Sequence, residues 1–302
     1  MKQNQKEFSI KRTHEIRLVF RNGQWVKDSQ DLSSLGIIIQ SSPSSLHVDI
    51  NLAEGSQLIL IEDYQGEGSY KTEVITQVSL GENASLNLIK LQEESLKSSH
   101  TSVTKVSQKR GSRFHSQLIS LGGLSVKNRI ESELAAEGAE VLLDGLFLAH
   151  GKQQINLETW IDHAKPHASS QELYKGILDG QSHSIFNGTI VVRPGAQKTT
   201  ALQMNKNLLL SKEAVIDTKP QLEIDANDVQ CRHGATVGQL DPEAIFYLRS
   251  RGLSENKARS LLTNAFANEM VQRIKNDSLR LYLEERVHSC LSGKKEAGHE
   301  RI

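Results

Sequence analysis

The chain has 302 residues, with 36 Lys+Arg balanced by 36 Asp+Glu, 5% aromatics and two cysteines. That length is enough for one large domain or two ordinary ones. The absent basic surplus argues against a protein that coats nucleic acid or anionic lipid, and two cysteines cannot build a four-thiolate site or a disulfide framework. No apolar run reaches the ~18 residues of a membrane span, and the start MKQNQKEFSIKR lacks the apolar core of a signal peptide. The expectation is a cytoplasmic protein that works with protein partners.

In chain order, residues 1–45 read as an N-terminal hairpin segment. Ile16–Val26 carries two short apolar runs around Asn22-Gly23, a type I′ turn signal. Ser41–Ser45 reads as a short linker.

From residue 46 to 240 the hydrophobic rhythm has period two, meaning strands with one wet and one buried face. Val48, Ile50 and Leu52 alternate with polar residues, as do Thr72, Val74, Thr76, Val78 and Leu80. Leu124, Val126, Ile130 and Leu134 keep one parity, and Ile155, Leu157, Thr159 and Ile161 keep another. Gly55, Gly81, Gly138, Gly195 and Gly234 mark the expected turns, the last within His233-Gly-Ala-Thr236. Nearly 200 residues of short strands fit a β-sandwich or barrel, or a parallel β-helix. The low aromatic content leans toward the β-helix.

Residues 241–302 switch to a helical rhythm. Asp241-Pro242-Glu243 supplies an N-cap, a proline at N1 and a first-turn acid, and Gly252 closes the helix. Ser254 caps a second helix, with Ala258, Leu261, Leu262, Ala265 and Phe266 as its expected apolar stripe. Val271, Ile274, Leu279, Leu283 and Val287 continue the pattern, Cys290 reads as a packing residue, and Ser292–Ile302 as a polar tail.

No phosphate-binding loop, GxGxxG, HExxH, GxSxG or CxxC motif is present. His163, His167 and His183 form the densest histidine group and read as surface residues, since Pro166 disfavours the helix that would align the first two. Cys231 and His233 are different. At i and i+2 on a strand they share a face, within reach of one metal or one sulfur atom. The bland alternative is a buried thiol beside a satisfied imidazole. Two ligands are too few to hold a cluster, so a functional version needs a second chain.

Three segments carry a resemblance. They are Lys219-Pro-Gln-Leu-Glu-Ile224, then Asp228-Val-Gln-Cys231-Arg-His233-Gly-Ala-Thr-Val-Gly238, then Phe246-Tyr-Leu-Arg-Ser-Arg-Gly252. With Phe186-Asn-Gly188, Gln197-Lys-Thr199, Gln203-Met-Asn-Lys-Asn-Leu208-Leu-Leu-Ser211 and the hairpin Arg17–Gly23, they resemble the SufD branch of the SufB/SufD family of iron–sulfur cluster assembly scaffolds. The resemblance implies a right-handed parallel β-helix with a C-terminal helical domain. It implies a non-catalytic scaffold that pairs with a SufB-like subunit and docks a SufC-like ATPase through its tail helices. Phe246, Tyr247 and Leu248 are then candidate ATPase contacts. His233, with Cys231 as an auxiliary thiol, is then placed at the interface where a transient iron–sulfur cluster forms, none being tightly bound by this chain alone. Family members typically carry a helical N-terminal domain, whereas only Met1–Ile10 precede the hairpin region here, so the sequence reads as a short form. A homodimeric β-helix interaction protein is a second reading. A carbohydrate-active β-helix enzyme is a third, although its candidate acids Asp144, Asp162 and Asp179 are scattered.

Overall fold

The computed structural model describes residues 14–26, 32–41 and 45–292. Most of the proposed Ser41–Ser45 linker and the tail beyond Ser292 lie outside the described residues. Three short strands come first: β1 (His14–Arg21), β2 (Gln24–Val26) and, after a one-turn 3₁₀ helix, β3 (Ile37–Ser41). Asn22 and Gly23 both have positive φ, 51° and 76°, as a type I′ turn requires.

A regular ladder follows. It comprises β4 (Leu46–Leu52), β5 (Gln57–Gln65), β6 (Lys71–Leu80), β7 (Ser85–Glu93), β8 (Ser99–Gln108) and β9 (Arg113–Ser120). It continues through β10 (Ser125–Leu134), β11 (Glu140–Ala149), β12 (Gln154–His163) and β13 (Ser169–Leu178). It ends with β14 (His183–Val192), β15 (Thr200–Leu209), β16 (Val215–Ile224) and β17 (Gln230–Gly238). From β4 onward successive strands fall alternately on two sheets, each pairing in parallel with the strand two places on. The nine-stranded sheet runs β17-β15-β13-β11-β9-β7-β5-β1-β2, and the eight-stranded sheet β16-β14-β12-β10-β8-β6-β4-β3. The result is a parallel β-solenoid of about 7 turns. The N-terminal hairpin joins it, because β1 pairs in parallel with β5.

Period-two alternation builds the interior. Val48, Ile50, Leu143, Ile155, Leu157, Phe186 and Ile190 all turn inward and are buried between the sheets. Inward charged residues are paired: Lys90 Nζ lies 3.3 Å from Glu62 Oε2, and His100 Nδ1 lies 2.8 Å from Glu94 Oε2. Such pairing is the condition for burying charge.

Three helices close the chain: α1 (Pro242–Ser250), α2 (Glu255–Val271) and α3 (Asp277–Leu291). Their N-caps Asp241, Ser254 and Asn276 each accept a backbone N–H. α2 and α3 cover the outer face of the nine-stranded sheet. Met270, Val271, Ile274, Leu283 and Val287 pack there on Ile89, Leu91, Ile119, Leu146 and Leu148. This second core explains why the middle strands of that sheet, β7, β9, β11 and β13, are buried on both faces.

Several expectations need correction. Leu124 lies outside β10 and is exposed. The apolar stripe of α2 is rotated: Ala258, Thr263, Ala267 and Met270 are buried while Leu261 and Ala265 face solvent. Gly234 sits inside β17 rather than in a turn. Its role is close approach, since a Cβ there would meet Met204 Sδ at 3.0 Å. At two other corners the positive φ is supplied by Asn83 and Lys198, not by Gly81 or Gly195.

Candidate functional site

The solenoid ends on β17, which pairs with β15 and has no strand beyond it among the described residues. All of Gln230–Gly238 is exposed or half-buried, whereas Ala201, Gln203, Asn205 and Asn207 on the preceding rung are buried. The unpaired main-chain edges and the uncovered end of the interior therefore coincide on the last rung, formed by β17 and by β16, the terminal strand of the other sheet.

The register sets the orientation of the candidate residues. Ala201 pairs with Cys231, Gln203 with His233 and Asn205 with Ala235. Residues opposite one another in a parallel ladder share a face, so Cys231 and His233 continue the inward-facing columns of Ala201 and Gln203. Cys231 packs against the interior core and is half-buried; His233, one step further along, is exposed. Their Cα atoms are about 7 Å apart at strand rise, close enough for the two side chains to serve one metal or sulfur atom. Burial raises the Cys231 thiol above its ordinary range, opposed by a backbone hydrogen bond at Ala201. At neutral pH it is therefore a protonated thiol, and an arriving cation would have to draw off its proton. No group of three or more His, Cys, Asp or Glu side chains among the described residues is arranged to hold a metal ion.

Below His233 lies a polar column that no sequence motif marks. Gln203 Nε2 donates to Glu172 Oε2 at 2.8 Å, and Thr159 Oγ1 donates to Glu172 Oε1 at 2.7 Å. All three side chains are buried. Burial pushes the Glu172 carboxyl up to about 7, against the pull of the two hydrogen bonds. Gln203 opens one of the family-like segments, and only that membership could have flagged it.

The remaining candidates fall elsewhere. Phe246 and Tyr247 are 73% and 58% exposed on α1, a helix with no buried residue, and Leu248 is half-buried. His163, expected at the surface, is fully buried inside the solenoid with Nε2 2.8 Å from Ser170 Oγ. It shares the inward parity of Ile155, Leu157 and Ile161. His167 and His183 are exposed, the latter 2.8 Å from Asp217. Asp144 is held by His115 and Arg273 on the outer face of the nine-stranded sheet, Asp162 by Arg193 on the other sheet, and Asp179 accepts from the Gly180 N–H in a turn. Each acid is engaged on a different surface, which does not form the paired-carboxylate geometry of a glycosidase. No described helix is long and apolar enough to cross a membrane.

Comparison with known proteins places residues 38–266 in the family described as SUF system FeS cluster assembly, SufBD core domain. An iron–sulfur cluster assembly SufBD family protein of Synechocystis is 35% identical over 223 residues, covering 74% of this chain and 48% of the relative. The iron–sulfur cluster assembly protein SufD of Escherichia coli is 33% identical over 246 residues, 81% of this chain and 58% of the relative. The chain thus spans about half the length of the curated relatives it matches.

Proposed function

The chain belongs to the SufBD family of SUF-system iron–sulfur cluster assembly proteins, and on that premise we propose that it is a scaffold subunit without catalytic chemistry of its own. It pairs through the β17 end of its solenoid with a SufB-like chain, and His233, assisted by Cys231, is its contribution to a cluster built across the seam. The observation that carries this reading is the position of both side chains on the terminal strand whose edge is unpaired. A strand added there gains main-chain hydrogen bonds and covers His233 at the same time. One imidazole and one protonated thiol form an incomplete ligand set, so the cluster is cargo completed by the partner's thiolates.

The tail helices are the proposed dock for a SufC-like ATPase, with Phe246 and Tyr247 as exposed anchors and Leu248, half-buried, as a further contact. Nucleotide-driven association of two such ATPases would pull on both scaffold tails and strain the shared edge, a bistable-interface mechanism. The expected compartment is the cytoplasm. In the absence of a SufB-like partner the same unpaired edge favours self-pairing into a homodimer, which size analysis with and without the partner distinguishes.

The test is co-expression with SufB-like and SufC-like chains, followed by anaerobic reconstitution. His233→Ala is expected to leave the complex intact and to lower the cluster absorbance; normal cluster formation by that variant sinks the assignment.

A further inference from the structure

We propose that the Gln203 carboxamide is the built-in acceptor for one ring N–H of His233, held in that orientation by Glu172 and Thr159, so that the other ring nitrogen keeps its lone pair free for the incoming metal. The proposal rests on His233 being the cluster-facing imidazole. It deepens that reading by naming the residues that position the ring.

Four observations support it. Gln203 and His233 are register partners on adjacent rungs, about 4.8 Å apart in the hydrogen-bonding direction, and both take the inward face. The Gln203 amide is oriented, because its Nε2 donates down the column to Glu172, whose other oxygen is occupied by Thr159. Its Oε1 is buried and has no hydrogen-bond partner, although Gln203 has no exposed surface at all. Buried acceptors without partners are rare in folded proteins and call for a partner not yet in place. Finally, the facing sheet leaves room for this amide only through a glycine: a Cβ on Gly188 would lie 2.2 Å from Gln203 Nε2.

The chemistry follows from imidazole itself. A neutral histidine carries one N–H and one lone pair, and the hydrogen bond made by the first decides which nitrogen offers the second. Metal-binding histidines commonly donate their other N–H to a fixed oxygen, which orients the ring and raises its basicity. Carboxylates usually fill that role. Here an amide does, with the carboxylate one rung deeper. Lys219, Asp217 and Glu223 on neighbouring β16 alternate with the inward residues Thr218 and Leu222, so no charged side chain of that strand shares the column.

The experiment uses the full chain labelled with ¹⁵N-histidine, with the His233 resonances assigned by their loss in His233→Ala. In the unsubstituted chain bound to its SufB-like partner, whose added strand covers the exposed His233, a directly observed, exchange-protected ring N–H of His233 is expected. In Gln203→Met, which keeps the volume and removes the acceptor, that proton is lost to fast exchange while the fold, checked by circular dichroism, persists. Gly188→Ala, which pushes the amide from a different strand, reproduces the loss and provides a second route if Gln203→Met fails to fold. In the co-expressed complex, Gln203→Met is expected to weaken cluster retention about tenfold, the low end for removal of such an orienting oxygen. A ring N–H that is unprotected in the parent, or that survives both substitutions, overturns the proposal. If His233→Ala retains full cluster content while the N–H still depends on Gln203, the shared-site reading falls and the hydrogen bond stands.

Discussion

Lys175 Nζ lies 2.7 Å from Glu269 Oε2 and 3.7 Å from the centroid of the Phe266 ring, so one buried lysine of β13 is gripped twice by α2. The lysine side chain is 2% exposed and its partner 49%. Burial lowers the Lys175 ammonium and Glu269 pulls it back up. Removing the acid strands a cation under the helix; removing both charges does not. Glu269→Ala is expected to cost about 1–2 kcal/mol, discounted for the exposure of Glu269, and Lys175→Met in the same chain to restore most of it. Urea unfolding checks the energies. Hydrogen exchange in α2 checks the location, and equal loss in the single and double variants contradicts the coupling.

Glu172 makes the solenoid sensitive to base. Its carboxyl titrates near 7 in the folded chain against an ordinary 4.5. A raised acid favours the folded state while protonated, so its contribution is complete below about 4.5 and is lost as pH rises through about 7. The shift corresponds to about 3 kcal/mol. Glu172→Gln is expected to flatten the decline of the urea midpoint between pH 5 and pH 8. A parallel decline in both proteins would place the sensitivity elsewhere.

The period-two rhythm and the capping residues are enough to read β4, β6, β10 and β12 of the eight-stranded sheet and the starts of α1 and α2, because these depend on local spacing alone, whereas β7, β11 and β13 are buried on both faces and carry no alternation. His163 lies inside the solenoid rather than at the surface, for a physical reason. Polarity suggested the surface, yet its parity with Ile155 and Ile161 points inward, and a solenoid interior accepts a polar ring once Ser170 Oγ meets it at 2.8 Å. Gly234 reads as a turn because glycine most often supplies positive φ, whereas here it spares Met204 a clash. The stripe of α2 was rotated because Thr263 is buried, its hydroxyl bonded back to Arg259 O, and Leu261 is not. The column beneath His233 was not legible. Glu172 and Gln203 are 31 positions apart, and corners of variable length leave no fixed repeat from which stacking could be counted.

His163 gives the opposite pH response to Glu172. Burial depresses its imidazole from 6.5 to about 4, with Asp162 pulling it slightly back up. A depressed base favours the folded state while neutral, so this contribution is present above about 6.5 and is lost as pH falls through about 4. The expected loss is about 3 kcal/mol at the acid end. His163→Gln keeps a polar partner for Ser170 and removes the titration, so its stability is expected to change less between pH 6.5 and pH 4 than the parent's. An unchanged acid limb would mean that the solenoid yields first at another group.

The proposed ATPase dock predicts a separation between stability and binding at α1. This helix has nine residues and no buried side chain, and nine residues alone are marginal as a helix in water. It persists through the Asp241 cap, Pro242 and the Leu248 carbonyl, which accepts the Arg251 and Leu253 N–H groups at 3.1 and 3.3 Å. Phe246 takes part in none of these bonds and is 73% exposed, so Phe246→Ala is expected to change stability by less than about 0.5 kcal/mol. A large aromatic left uncovered on a well-capped helix is the kind of residue on which association energy concentrates, about 2 kcal/mol or more when truncated. Binding of a SufC-like ATPase is therefore expected to weaken about 30-fold in Phe246→Ala. Tyr247→Ala is expected to weaken it as well, while also releasing the Arg251 guanidinium that lies 5.3 Å from its ring centroid. Leu248→Ala serves as the contrast: being half-buried, it is expected to lower stability as well as binding. Calorimetric titration of the ATPase into each variant, beside its melting temperature, reads both quantities. Undiminished binding by Phe246→Ala would remove α1 from the dock.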